Sequence, residues 1–472
     1  ALNAFDPLIA GVRAHLEGLE RIIISGESSL EDVRSFEQLL RPPGGPPPFV
    51  SGSRDDVAVL IYTSGTTGRP KGVQLTHSNF YAESAAVRIA MADSLYAGRR
   101  TLMFLPLAHV FARAVSFSAF DAKVTVAHTS DLTTLLDQFA SFKPHFILSV
   151  PRVFEKVYNS AKQKAYDGGK GSIFEKASAA AIEWSEAQDN GGAGLGLKLK
   201  HALFDKLVYS KLRVALGGEC DRAVSGGAAL GARLGHFFRG IGVPVFEGYG
   251  LTETSAAFTV NTPNAQRVGS VGKPVDGHAA KIADDGELLL RGPVVFGGYW
   301  HNPDATADAI TDGWFHTGDL GSIDEEGYVF ITGRKKEIIV TAGGKNVAPA
   351  VLEDALRAHP LVSQCLVVGD NKPFIGALIT LDEETLPGWK ERHGLPADTS
   401  ITQLMENADL IAEIDAAVAE ANKKVSNPEQ IKKYKIIESD FTIDSGELTP
   451  TLKLKRNVIH QERGAVIESI YA

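Results

Sequence analysis

Short apolar runs recur through the first two thirds of the chain, at residues 21–25, 57–62, 100–105, 123–127, 146–150, 222–225 and 243–247. Several are continuously apolar rather than alternating, the pattern of strands covered on both faces in a parallel sheet. Helical patterns at 78–92, 131–142 and 228–239 fall between them. Alternation of this kind predicts a doubly wound α/β domain. A chain of 472 residues exceeds one comfortable hydrophobic core, so more than one domain is expected.

The region 154–216 reads as a long helical stretch interrupted at Gly191-Gly192-Ala193-Gly194-Leu195-Gly196. The run Arg41-Pro42-Pro43-Gly44-Gly45-Pro46-Pro47-Pro48 is a loop by composition. After about Leu288 the texture changes to β-hairpins, and 328–332 and 337–341 are expected as two strands around the turn Gly333-Arg334-Lys335-Lys336. A compact unit follows. Pro349 opens a helix that Pro360 closes, strands come at 364–368 and 375–381, and a long helix ends near Val425. The expected organisation is a large domain over 1–333, β-rich from about residue 270, a hinge at 334–336, and a small mobile α+β domain over 337–472. The first residues lack an initiator Met, and Ile9, Val12, Leu16 and Leu19 predict an amphipathic helix already inside a domain. The front of the large domain is therefore expected to be missing.

Composition excludes several classes. A net charge of −9 argues against bulk nucleic-acid binding. The 2 cysteines, Cys220 and Cys365, form no disulfide framework and suit a reducing cytosol. No apolar run approaches the ~18 residues of a membrane span, and no signal-peptide pattern opens the chain. A cytoplasmic protein is expected, with room for peripheral contact at the inner face of the membrane. The lysines at 423, 424, 432, 433 and 435 are read first as a solvated face, and second as a surface for a ligand's phosphates or anionic lipid.

The strand at 57–62 runs into Thr63-Ser64-Gly65-Thr66-Thr67-Gly68-Arg69-Pro70-Lys71-Gly72. Glycines let backbone amides approach an anion, hydroxyls add donors, and Lys71 supplies a mobile charge, which is phosphate-binding chemistry. The spacing is not that of a Walker loop.

This run resembles the signature loop of the adenylate-forming superfamily, which contains acyl-CoA synthetases, peptide-synthetase adenylation domains and beetle luciferases. Five further segments match in the family's order. They are Ser225-Gly226-Gly227-Ala228, Glu247-Gly248-Tyr249-Gly250-Leu251-Thr252-Glu253-Thr254, Gly313-Trp314-Phe315-His316-Thr317-Gly318-Asp319, Gly333-Arg334-Lys335-Lys336-Glu337, and the segment from Glu447 to Arg456 around Lys453. The resemblance covers nearly the whole chain. It implies that Thr63, Ser64, Gly65, Thr66, Thr67, Gly68 and Lys71 cradle the phosphates of ATP, and that Glu253, with Thr63, holds Mg²⁺. Thr252 adds a hydroxyl. Gly226, Gly227 and Ala228 leave room for adenine, with the segment Glu247, Gly248, Tyr249 and Gly250 beside it and Tyr249 as an aromatic wall. Asp319 takes the ribose diol and Arg334 a ribose hydroxyl or phosphate. Lys453 bridges the acyl carboxylate and the α-phosphate, and His109 closes the carboxylate pocket. Lys336 is the hinge. The family commonly has glycine just before the Lys453 position, where this chain has Leu452.

The segments 104–113 and 149–156, together with Gly343-Gly344-Lys345-Asn346, are similar to long-chain fatty acyl-CoA synthetases, especially bacterial, actinobacterial ones. That likeness implies a two-step ligase. Fatty acid and ATP give acyl-adenylate and pyrophosphate, and CoA then takes the acyl group. Gly343, Gly344 and Lys345 would line the pantetheine channel after a swing about Lys336. The competing expectations are an acyl-AMP ligase that loads a carrier protein, and a nucleotide-binding fragment or paralogue without turnover. Oligomeric state is not legible.

Overall fold

The computed structural model describes residues 5–13, 15, 22–40, 52–63, 70–132, 134–449 and 453–472. The chain divides into two compact units, 1–53 and 54–472, and the expected boundary at 334–336 lies inside the second.

In the first unit the helix Asp6–Arg13 precedes the parallel strands Ile22–Ile24 and Val33–Ser35. The buried Asp6 carboxylate accepts from the Ser28 hydroxyl and the Ser29 amide, both at 2.7 Å, which ties the helix start to that loop. Leu16, Leu19 and the Pro/Gly loop at 41–48 lie outside the described residues.

The second unit opens with an antiparallel hairpin, Val57–Thr63 against Lys71–Thr76. This corrects the expectation of a covered parallel strand at 57–62: no residue of Val57–Thr63 is fully buried, so its apolar side chains are only half withdrawn from water. The parallel sheet begins further on. Phe146–Ser149, Arg222–Ser225 and Val245–Tyr249 run parallel, and the short strands Thr259–Val260 and Lys273–Pro274 extend the sheet in antiparallel fashion. A second parallel pair, Arg100–Met103 and Thr125–His128, adjoins Phe146 through His145 N–H to the Arg100 carbonyl and the Thr101 hydroxyl to the Phe146 carbonyl, each 2.9 Å. Phe146–Ser149 is buried at every position, as its continuous apolar character requires. Register aligns Ser149 with Ser225 and Ser225 with Glu247, so the carboxyl ends of three parallel strands lie side by side. That edge is where open α/β sheets bind ligands.

The helical region resolves into Pro151–Asp167, Gly171–Asp189 and a run over 195–215 with a π turn at Asp205–Tyr209. The break falls where Gly191 and Gly192 take φ of 87° and 98°, left-handed values that glycine adopts at no steric cost.

An antiparallel sheet follows, built of Ala279–Ile282, Glu287–Arg291, Ile310–Thr311, Trp314–Ile323 and Val329–Arg334. The expected hairpin of 328–332 with 337–341 does not form. Val329–Arg334 pairs with Trp314–Ile323, Lys335–Glu337 is a single 3₁₀ turn, and Ile339–Val340 pairs with Asn346–Val347. Arg334 is held by Asp319 across the first pair, while Glu337 is held by Arg456, so the two arms are drawn to different partners.

The last part carries a sheet of Val362–Val368, Ile375–Leu381 and Ile431–Ile437, covered by the helices Pro349–Arg357 and Ala408–Asn422. Its hydrophobic clusters draw only on residues from Ile339 onward, whereas those of the preceding part end at Ile331. No helix among the described residues is long and apolar enough to cross a membrane.

Candidate active site

The hairpin Val57–Thr63/Lys71–Thr76 places Thr63 directly opposite Lys71, so both flank the intervening loop. Ser64, Gly65, Thr66, Thr67 and Gly68 lie outside the described residues. The hairpin is seated on the segment 298–300: Trp300 N–H donates to the Gly72 carbonyl at 2.7 Å and Gln74 N–H to the Gly298 carbonyl at 3.1 Å. A Cβ on Gly72 would stand 3.2 Å from the Tyr62 ring and 3.3 Å from Trp300 Cβ, so this close approach favours glycine. Lys71 Nζ lies 4.8 Å from the centroid of the Tyr299 ring, a cation–π contact. The Tyr299 hydroxyl donates to Glu253 Oε1 at 2.9 Å. One tyrosine thus joins the candidate phosphate lysine to the candidate metal carboxylate. Sequence reasoning did not single it out; the Gly297-Gly298 pair before it is the only local signal.

Glu253 sits in the 3₁₀ turn Thr252–Thr254, within a strained loop. Ser255 has φ 56° and Ala256 φ 113°, backbone that costs free energy unless its surroundings enforce it. A Cβ on Gly250 would fall 1.4 Å from the Ala256 carbonyl oxygen, so only glycine fits there. The bonds that hold the loop include Thr254 Oγ1 to the Ala256 carbonyl at 3.2 Å, Ser255 Oγ to the Val294 carbonyl at 2.8 Å, Phe296 N–H to the Glu253 carbonyl at 2.8 Å, and Ala257 N–H to Glu83 Oε1 at 2.9 Å. Glu83 is fully enclosed, and burial raises its pKa well above the usual carboxylate range. Its support of the loop from helix His77–Ala90 was not legible in sequence. No group of three or more metal-ligating side chains occurs among the described residues. A lone Glu253 carboxylate nevertheless suits Mg²⁺, which keeps waters and takes most of its remaining ligands from phosphate oxygens.

Asp319 and Arg334 are register partners on adjacent strands. Asp319, 3% exposed, accepts from Arg334 Nε at 2.8 Å on one oxygen and from the Tyr249 hydroxyl at 2.6 Å on the other. A carboxylate has about four acceptor positions, so a diol would share Asp319 with these two donors. Tyr249 braces Asp319 as well as standing beside the glycine segment. Burial, and next the Asp319 charge, push its phenol far above the ordinary range.

At the strand ends, Gly226 N–H donates to the Ser149 carbonyl at 3.1 Å, and a Cβ there would lie 3.6 Å from the Phe111 ring. Gly227, at φ 85°, turns the chain toward Ala228. A Cβ on Gly248 would lie 3.1 Å from the Thr259 carbonyl oxygen. The Glu247 carboxylate is buried and accepts the Leu230 amide at 2.9 Å, so its side chain fixes the loop after Ala228. Burial pushes it up to about 7, against the Leu230 bond, with the charge of Asp354 adding to the rise.

The C-terminal lysine reaches this same edge. Lys453 lies within electrostatic reach of Arg334, Asp319, Glu337 and His109, groups 116 to 344 residues away in sequence. Its side chain is exposed by surface area, yet enough protein surrounds it that burial lowers its pKa; the Arg334 charge lowers it further, against the carboxylates of Asp319 and Glu337. His109 caps the helix Val110–Asp121, its Nδ1 accepting from Phe111 N–H at 3.3 Å. Burial first, then the Lys453 charge, depress its pKa and favour neutral imidazole. Thr449 and Lys453 are tied to each other, with Thr449 N–H to the Lys453 carbonyl at 2.8 Å and Lys453 N–H to Thr449 Oγ1 at 3.0 Å. Leu452 lies outside the described residues. Arg456 anchors the segment with two bonds to Glu353, at 2.8 and 2.5 Å, and one to Glu337 at 3.3 Å.

The remaining expected residues lie elsewhere. Lys336 is exposed in its 3₁₀ turn. Lys335 pairs with Asp285 at 2.5 Å and Glu287 at 3.2 Å. Gly343 and Gly344 (φ 77°) form a turn closed by Thr341 N–H to the Lys345 carbonyl at 3.0 Å, and Lys345 pairs with Glu429 at 3.4 Å. These contacts run within the last part and not to Lys453.

The AMP-binding enzyme family matches residues 8–300, and the AMP-binding enzyme C-terminal domain matches residues 336–472. The chain is 61% identical over 416 residues to the long-chain-fatty-acid–CoA ligase FadD15 of Mycobacterium tuberculosis, covering 88% of this chain and 69% of that protein. Among solved structures, the anthranilate CoA ligase AuaEII in complex with anthranoyl-AMP matches with a TM-score of 0.72 at 22% identity, over 99% of this chain and 78% of that one. The A-PCP didomain of the carboxylic acid reductase from Segniliparus rugosus, in complex with AMP, matches at 0.74 and 20% identity, over 100% and 65%. At those identities the two structures speak for the fold alone. With both of its parts matched and a relative so similar over most of its length, the chain belongs to the AMP-binding enzyme family, the adenylate-forming group that its ordered motifs resemble.

Proposed function

We propose that this protein is a long-chain fatty acid–CoA ligase, in which 1–333 is the large domain, 334–336 the hinge and 337–472 the mobile domain. The observation that carries the reading is the fixed cluster of Asp319, Arg334 and Tyr249 at the sheet edge, with Lys453 and His109 within electrostatic reach. The likeness to FadD15 supports the choice of a long-chain acid and CoA, and hydrophobic clusters confined to either side of 334–336 support the division.

In the first step a carboxylate oxygen attacks the α-phosphorus of ATP, the bond to the bridging oxygen breaks, and pyrophosphate leaves. Lys453 stabilises the charge shared by carboxylate and α-phosphate. Neutral His109 sits beside that ammonium without adding a like charge. Asp319 and Arg334 hold the ribose, Lys71 meets the β- and γ-phosphates, and Thr63, Thr252 and Glu253 face the triphosphate. Mg²⁺, held by Glu253, would offset negative charge on the leaving pyrophosphate. In the second step the CoA sulfur attacks the acyl carbonyl, AMP departs, and the thiol proton passes to solution. For this step the last part turns about Lys336, withdrawing Lys453 and presenting Gly343, Gly344 and Lys345 to the pantetheine arm. The buried free thiols Cys220 and Cys365 accord with a cytoplasmic setting.

Palmitate, ATP, Mg²⁺ and CoA should yield palmitoyl-CoA, AMP and pyrophosphate in equal amounts. Accumulation of acyl-adenylate without thioester would favour a carrier-loading ligase. Absence of palmitate-dependent pyrophosphate exchange would remove the catalytic reading altogether.

A further inference from the structure

The helical run over 195–215 is apolar on two faces. Its inner face is accounted for: Tyr209, Leu212 and, just beyond, Leu216 are buried in the large hydrophobic cluster. Its outer face is not. Leu195, Leu199, Leu203 and Leu207 are 80, 74, 57 and 48% exposed, and Val214 follows at 64%. Their four-residue spacing runs ahead of the 3.6-residue helical repeat, and the wider π turn at Asp205–Tyr209 takes up part of the drift. A surface helix ordinarily keeps its outer face polar. Five large aliphatic side chains in solvent along one rod form a patch, not scattered exposure.

The charge around the patch is of one sign. The run contains Lys198, Lys200, Lys206, Lys211 and Arg213 against a single acid, Asp205, although the whole chain carries −9. Asp205 is paired with Arg213 at 2.7 Å, and Lys200 with Glu183 at 3.2 Å. Lys198, Lys206 and Lys211 make no ion pair among the described residues and stand exposed beside the leucines. Between this rod and the helix Gly171–Asp189 lies a mainly apolar recess of about 540 Å³, walled by Ala179, Leu199, Leu203 and Phe204 and bordered by Lys176 and Lys200.

We propose that this face is a docking surface for an anionic lipid bilayer. Leucines enter the boundary between headgroups and acyl chains, and the unpaired lysines meet lipid phosphates, the division of labour of interfacial helices. Charge complementarity selects an anionic occupant, and it opposes packing of this face on the same face of a second copy, which would set lysines against lysines. The surface differs from the lysines at 423–435, several of which are engaged within the protein: Lys423 pairs with Glu420, and Lys432 donates to Asn427. Docking here is separate from the ligase chemistry, so either can fail while the other stands.

The test is co-sedimentation of the full chain with vesicles of pure phosphatidylcholine and of phosphatidylcholine containing phosphatidylglycerol. The expected result is capture by the anionic vesicles, weakened as salt is raised. Leu199→Glu with Leu203→Glu should reduce capture about tenfold or more, and Lys198→Glu with Lys206→Glu and Lys211→Glu should do likewise. Melting temperature and adenylation of a soluble short-chain acid should be unchanged in both variants. No capture by anionic vesicles overturns the proposal. So does a large fall in melting temperature in the leucine variant with capture unaltered, which would mean that protein covers this face. A dimer split by Leu203→Glu, with no vesicle binding, likewise assigns the face to a second copy.

Discussion

Two regions of the molecule hold charged residues together in opposite ways. The first is Asp319 with Arg334 and Tyr249. Its carboxylate side chain is 4% exposed, both oxygens are bonded, and the partners are fixed by strand register and by the end of the parallel sheet. The second is the contact between helix Pro151–Asp167 and the part after 337. It includes Arg152 to Asp382 at 3.3 Å, Lys156 to Glu384 at 2.8 Å and Arg392 to Asp167 at 3.3 Å, mostly half-exposed pairs. Exposed pairs are worth about 0–1 kcal/mol each, and no hydrophobic cluster spans this contact. On the proposed function the ribose side of the site is therefore preassembled, while Lys453 would be delivered by a body held through weak contacts. A site that must offer Lys453 for one step and remove it for the next needs that difference.

Lys453→Ala attacks the delivered side and should have the largest effect. Adenylate formation falls by ~10²-fold or more when a charge-stabilising donor is lost, while thioester formation from supplied acyl-AMP persists. Pyrophosphate exchange and the isolated second half-reaction measure the two, and equal losses in both would contradict a visiting lysine. The same residue predicts an alkaline limb. Its pKa is lowered by burial and by Arg334, and the protonated form is the one that stabilises charge. First-step kcat/KM should accordingly decline as pH rises through a value below the ordinary lysine range of about 10.4. The second half-reaction should lack that limb.

Asp319→Ala tests the fixed side. It strands the Tyr249 hydroxyl and the Arg334 guanidinium, and should destabilise the fold by about 1–3 kcal/mol while raising KM for ATP; Asp319→Asn should restore most of the stability. Denaturant titration with ATP kinetics reads both. If the melting curve is unchanged, the ribose side is not the preassembled element. Lys336→Pro should act in the reverse sense to Lys453→Ala, leaving adenylation largely intact and slowing thioester formation by restricting the turn. Stopped assays of each half-reaction separate the outcomes.

The smallest effect belongs to the weak contact. Arg152→Glu places like charge against Asp382 and against Glu155 and should slow adenylation about two- to five-fold, in line with ~0.5–1 kcal/mol for a partly exposed pair. Adding Asp382→Arg should recover the rate. Loss beyond tenfold without recovery would mean that the contact is not the weak one.

Much of the site was legible because its motifs are local. Gly250 must be glycine, since a Cβ would strike the Ala256 carbonyl, and such requirements leave fixed letters in a sequence. Strands whose burial matches a continuous apolar run were legible nearly to the residue: 146–150 and 375–381 correspond to Phe146–Ser149 and Ile375–Leu381. The expected hairpin at 328–341 was wrong because an apolar strand does not name its partner, and Val329–Arg334 found Trp314–Ile323 instead.

Residue types and their order pointed to the chemistry by themselves: a glycine-, serine- and threonine-rich segment ending in Lys71, a lone Glu253, Asp319 after Thr317-Gly318, and a lysine near the end of the chain. Tertiary structure alone decided which of these meet. It put Tyr299 between Lys71 and Glu253, and Glu83 behind the strained loop. It brought Lys453 within electrostatic reach of Arg334 and His109, and left a row of leucines on an outer helix face with no protein over it among the described residues. The reason is physical. Backbone strain and steric fit act between near neighbours and so mark the sequence locally, whereas hydrogen bonds, ion pairs and burial act between groups that only the packed chain brings within reach.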